Sequence, residues 1–193
     1  MKKNLFILLF SGFHLCASAQ TFLHGAGTGA SVFTARDIET SVYGTLLYSP
    51  RVTVTENEQF SVSIGIPVTI GFTGGIGYNS SLGTYDDFKF LIYTPAMLNY
   101  NWGAGSSPLS ERRFGFFAGA GFGITFGNHY MDSWEYSWYE EKTRAYWGPA
   151  ANAGVRFGVG KQSKNIEVLM SYKKGLSANN PQYFGLSCLF NFR

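Results

Sequence analysis

Between residues 60 and 72 the chain alternates without a miss. Phe60, Val62, Ile64, Ile66, Val68, Ile70 and Phe72 take one parity, and Ser61, Ser63, Gly65, Pro67, Thr69 and Gly71 take the other. A period of two sustained over that length is an extended strand with one apolar face. The second face carries no charge, whereas a strand of a soluble sandwich turns Lys, Glu or Asp toward water. A small, uncharged polar face suits the inside of a narrow closed barrel whose apolar face meets lipid. The composition agrees, with 14% charged residues and 18% aromatic ones where about 25% charged is usual. No segment after the first twenty residues offers the run of about 18 apolar residues that a membrane helix requires. If hydrocarbon covers the surface, the backbone must close on itself, because unpaired amides there are too costly.

The pattern recurs at 114–126, where Phe114, Phe116, Ala118, Ala120, Phe122, Ile124 and Phe126 alternate with Gly115, Phe117, Gly119, Gly121, Gly123 and Thr125. Glycine weakens a strand and leaves nothing to pack. A row of it therefore reserves room for bulky inward side chains, with Tyr43, Tyr93 and Arg156 as candidates. Segments 22–33, 40–54, 88–102, 146–159 and 165–173 read as further strands, and the last begins at Tyr183. Together they predict an all-β, eight-stranded, antiparallel up-and-down transmembrane β-barrel. Short links at 55–58, 103–112 and 160–164 alternate with loops at 34–39, 74–87, 128–145 and 174–182. Pro50, Pro67, Pro95 and Pro149 fall inside proposed strands, where a closed barrel has no edge to hide a missing N–H. Bulges or breaks are expected at all four.

Lys2 and Lys3, the apolar run from Leu5 to Phe10, and Ala17-Ser18-Ala19 form the three parts of a secretory signal. Residues 1–19 are predicted to be a cleavable signal peptide and residues 20–193 the barrel domain. Loss of Lys2 and Lys3 from 15 Lys and Arg leaves 13 against 12 Asp and Glu, so nucleic-acid binding has no electrostatic support.

The final strand sets Phe184, Leu186, Cys188, Phe190 and Phe192 against Gly185, Ser187, Leu189, Asn191 and Arg193. It resembles the terminal strand of bacterial outer-membrane barrels, and the chain as a whole resembles the small eight-stranded OmpA/OmpX-type proteins. In that family the aromatic-rich final strand is the signal read by the barrel insertion machinery. Tyr183, Gly185, Phe190 and Phe192 match its general form, while a terminal Arg193 departs from it. The resemblance implies an outer-membrane location among its lipids, with both termini periplasmic.

Arg156 and Glu167 share inward parity on neighbouring strands. Two enclosed charges persist only when paired or hydrated, so they are expected to form an interior ion pair. The stretch 128–147 is dense in rings, and the period-two spacing of Trp134, Tyr136 and Trp138 suggests a hairpin that continues beyond the membrane; Tyr130, Trp134, Tyr136, Trp138 and Tyr139 are expected to form either an interfacial girdle or a surface platform for an extracellular glycan or protein. His129 near Asp132 and Ser133 is too common a set to define a lipid A-modifying enzyme, and no catalytic residue is assigned. Two histidines and one cysteine beyond residue 19, without ligand spacing, give no metal site, and no cofactor is expected. The function expected is structural or surface-interactive, covering adhesion or envelope integrity, with the loops at 74–87 and 128–145 displayed outside. The rivals are a narrow channel for small solutes, a lipid-modifying barrel enzyme, and a secreted soluble sandwich or calyx.

Overall fold

The computed structural model describes residues 21–36, 38–79, 83–107, 110–130, 141–159 and 164–192. Ten strand segments run in chain order: β1 (Phe22–Ala35), β2 (Ile38–Tyr48), β3 (Arg51–Glu56), β4 (Phe60–Gly65), β5 (Val68–Asn79), β6 (Gly83–Gly103), β7 (Phe114–Tyr130), β8 (Glu141–Gly158), β9 (Asn165–Lys174) and β10 (Gln182–Phe192). Each pairs antiparallel with its neighbours around the ring, and β10 closes on β1 from His24↔Phe192 to Thr34↔Gln182. β2 continues into β3 and β4 into β5, so the ten segments make eight staves of one barrel.

The period-two faces separate as lipid and lumen require. Ile64, Ile66, Ile70, Phe72, Leu98, Phe116, Phe122, Leu186 and Phe190 are exposed on the outside, whereas Ser61, Ser63, Thr69, Thr125, Ser187 and Asn191 are buried within. A second layer that would sandwich the phenylalanines is absent among the described residues; the sheet closes on itself instead. Outward rings gather near both ends. Phe60 stacks with Tyr100 and Trp102 with Phe116 toward the end that holds the termini, and Phe72 stacks with Phe88 toward the other. Amphipathic and aromatic side chains concentrate at such levels in membrane barrels.

Two of the four prolines break the staves and two do not. Pro50 separates β2 from β3, and Pro67 separates β4 from β5. The registers on either side of each break agree, with Tyr48↔Val68 and Arg51↔Gly65 on one flank and Thr69↔Tyr93 and Gly65↔Met97 on the other. They place Pro67 opposite Ser49 on one side and opposite Pro95 on the other. Pro95 therefore stays inside an unbroken β6, paired with Gly123 of β7, because the neighbour that its absent N–H would have served is itself interrupted. The missing donors line up across adjacent strands and the ladder gap stays local. Ile66 N–H donates across it to Pro50 O at 3.2 Å, and Ser49 keeps both bonds to Gly25 of β1. Pro149 lies in β8 opposite Phe122, just beyond Ala150↔Lys173, the last pair formed with β9. The chain leaving β9 still runs alongside, with Leu176 N–H donating to Trp147 O at 2.9 Å, so the proline falls where the regular ladder gives way to a single bond.

The loop expected at 74–87 is corrected to a hairpin, and part of the connection expected at 128–145 is paired strand. β5 and β6 pair as far as Asn79↔Gly83, and β7 and β8 as far as Tyr130↔Glu141. Both stand clear of their outer neighbours: β2 pairs with β5 only up to Gly44↔Phe72, and β6 with β7 only up to Leu91↔Gly127. Where the β6–β7 ladder stops, Asn128 extends it with a side chain: Phe90 N–H donates to Asn128 Oδ1 at 2.6 Å, and Asn128 Nδ2 donates to Phe88 O at 3.0 Å. The β1–β2 and β9–β10 hairpins stay low, tied by Arg36 N–H to Asn179 O at 2.8 Å.

Candidate functional site

The lumen is filled in three layers. Near the termini, inward parity on five strands converges on one carboxylate. Arg156 Nε of β8 lies 2.7 Å from Glu167 Oε2 of β9, and Arg51 Nη1 of β3 lies 3.0 Å from the same oxygen. Asn191 Nδ2 of β10 donates to it as well at 2.9 Å, and Asn101 Oδ1 of β6 accepts from Arg156 Nη1 at 2.9 Å. Asn101 in turn donates to Ser63 Oγ at 3.0 Å. The pair anticipated between Arg156 and Glu167 is thus one arm of a larger cluster. Arg51 and the two asparagines share the inward parity of their strands, and that parity was the available signal.

The turn after β6 closes this end. Gly103 and Gly105 adopt φ of 77° and 70°, the left-handed region that glycine enters at no steric cost. The backbone can then fold under the barrel, burying Ala104, Ser106 and Ser107 to 1% exposure. Ser106 Oγ secures it by donating to Gly103 O at 2.7 Å. A side chain at Gly105 would collide with Asn165, whose Nδ2 lies 2.3 Å from where the Cβ would stand.

Above the cluster lie Leu47, Phe117, Leu169 and Leu189. The Arg156 guanidinium sits over the Phe117 ring at 4.3 Å. Gly154 makes room for that ring, since a Cβ there would come within 2.6 Å of it. The third layer is aromatic: Phe33, Tyr43, Leu91, Tyr93, Tyr146 and Tyr183 pack together, with the Tyr93 and Tyr183 rings 4.1 Å apart. Lys173 is enclosed beside them and donates from Nζ to Tyr146 O at 2.7 Å. Of the three side chains expected over the glycines of β7, Tyr93 lies against Gly123 and Arg156 is paired across the ladder with Gly115, its chain passing Gly105 as well, while Tyr43 fronts Gly71 of β5. Strand tilt shifts the contacts around the ring, so parity alone does not name the partner.

The residues matched to an insertion signal divide between the two faces of β10. Phe190 is exposed outside and Phe192 stacks with His24, whereas Tyr183 and Gly185 face the lumen. Tyr130 ends β7, and Trp134, Tyr136, Trp138 and Tyr139 lie outside the described residues, as do Asp132 and Ser133. His24 bonds through Nδ1 to Tyr48 OH at 2.5 Å on the outer side of the ring. No group of metal-ligating side chains occurs among the described residues.

A closed, antiparallel, eight-stave barrel with an apolar exterior and a packed polar and aromatic lumen is the architecture of small bacterial outer-membrane proteins. Among solved structures, Neisserial surface protein A superposes with a TM-score of 0.60 at 11% identity, covering 90% of this chain and 98% of that one. Ail, the attachment invasion locus protein of Yersinia pestis, follows with a TM-score of 0.52 at 12% identity, again over 90% and 98% of the two chains. Ail has also been solved in complex with the heparin analogue sucrose octasulfate. No family model and no curated protein matches the sequence. At these identities the likeness establishes the fold.

Proposed function

We propose that the protein is exported by its N-terminal signal, inserts into a bacterial outer membrane with both termini in the periplasm, and serves at the cell surface as an interaction element without catalytic activity. The observation that carries this is the contrast between a lumen filled in three layers and two hairpins that rise clear of the ring. A filled lumen of this width gives solutes little passage, so the conspicuous part of the molecule is what stands outside it. The ring-rich stretch 128–147, which joins β7 to β8 in the chain, supplies amphipathic anchors of the kind that stack on sugar rings or grip a protein partner. The partner proposed is an extracellular glycan or protein.

Cells carrying the protein should bind immobilised glycans or host cells, and replacing Trp134, Tyr136 and Trp138 together with serine should remove that binding while leaving the heat-modifiable barrel band unchanged. Undiminished adhesion by the triple variant would sink the surface reading. Conductance in planar bilayers above an empty-membrane control would favour the channel instead.

A further inference from the structure

At the floor of the barrel the charges of the described residues do not balance. Arg51 and Arg156 are buried there, and both guanidiniums reach the same oxygen of one buried carboxylate, Glu167 Oε2. One carboxylate neutralises one of them. The other remains a charge withdrawn from water, which proteins keep only when it is compensated.

Donors for a compensating group are in place. Arg51 Nε and Arg156 Nη2 are buried and have no hydrogen-bond partner among the described residues. The hydroxyl of Thr53, opposite Ser63 in the β3–β4 ladder, is buried and unpartnered as well, and a hydroxyl can turn to donate. The surroundings limit the size of what could enter. The turn at 103–107 lies beneath, and the Leu47, Phe117, Leu169 and Leu189 layer lies above. A water molecule would satisfy donors but leave the charge, and a multivalent oxyanion would overshoot it.

We propose that the floor of the lumen is a halide site: a chloride ion held by Arg51 and Arg156 beside Glu167, completing a neutral cluster of two guanidiniums, one carboxylate and one anion. The site is built into the barrel and does not depend on what the hairpins bind. It also makes Arg51 conditional, since without the anion this arginine is a surplus buried charge.

The test uses the whole barrel refolded in detergent, with thermal unfolding followed in sodium chloride, sodium bromide and sodium gluconate at equal ionic strength. Chloride and bromide should raise the midpoint in a saturable way while gluconate, too large for the floor, should not. Arg51→Gln leaves a one-to-one pair and should lose the halide dependence, its midpoint becoming equal in all three salts. A halide response that is absent in the wild type, or that persists undiminished in Arg51→Gln, overturns the proposal. Should that variant fail to fold, wild-type crystals soaked in bromide decide the matter. An anomalous peak between the two guanidiniums supports the site, and only a water-like density there overturns it.

Discussion

The two ends of the lumen are packed with opposite chemistry on the same wall. At the floor, Arg51, Arg156, Glu167, Asn101 and Asn191 fill the section with charges and amides that hold one another through directional bonds. Toward the hairpins, Phe33, Tyr43, Tyr93, Tyr146 and Tyr183 fill it with rings. Rings contribute through area and contact, which degrade gradually when one is trimmed. A charged cluster behaves differently: it costs desolvation to assemble, and losing one member strands the others. The floor should therefore be intolerant of single changes and tolerant of replacement as a unit, and the ceiling the reverse.

The largest effect is expected at Glu167. Glu167→Gln strands two buried guanidiniums and should cost about 3–5 kcal/mol, read from urea unfolding of the barrel in detergent micelles. Replacing Arg51, Arg156 and Glu167 together with Met, Met and Leu should recover most of that loss; a triple variant as unstable as the single one would break the contrast. At the junction of the two regions, Gly154→Val drives a side chain against the Val168 carbonyl of β9 and into the Phe117 ring. Overpacking of this kind costs about 1–3 kcal/mol, and a neutral result in the same unfolding assay would show that the middle layer yields. The smallest effect belongs to the ceiling, where Phe33→Leu should cost less than about 1.5 kcal/mol. A loss as large as that of Glu167→Gln would mean that the rings also act as one indivisible unit.

Much of the barrel was legible because a strand between lipid and lumen must repeat every two residues. Ile64 and Ser63 could not both face the same medium, and the uncharged second face excluded bulk water on either side. The same parity turned Arg156 and Glu167 inward. It turned Arg51 inward too, in line with Tyr43, Thr45 and Leu47, but Arg51 meets Glu167 only because the sheet closes and brings β3 across from β9. Parity gives direction, whereas partnership across a lumen depends on how far each strand is staggered around the ring. The prolines show the same division. Each announces a missing donor, yet that Pro67 would lie opposite both Ser49 and Pro95, confining the defect to one line, follows from registers that no local pattern encodes. The β5–β6 hairpin was read as a loop because residues 74–87 lack the apolar alternation that lipid imposes. Once past the membrane, a paired strand no longer needs it. At 128–147, by contrast, the period-two rings Trp134, Tyr136 and Trp138 already suggested a hairpin beyond the membrane.

The amino-acid sequence by itself determined that this chain folds as extended segments with an oily side and a small polar side, since solvent preference acts residue by residue. Only the tertiary structure decided which inward side chains touch, where the ladder may be interrupted, and that two arginines share one carboxylate oxygen. Those outcomes depend on closure, which sets distances between residues far apart along the chain and encloses their charges in a space with little water.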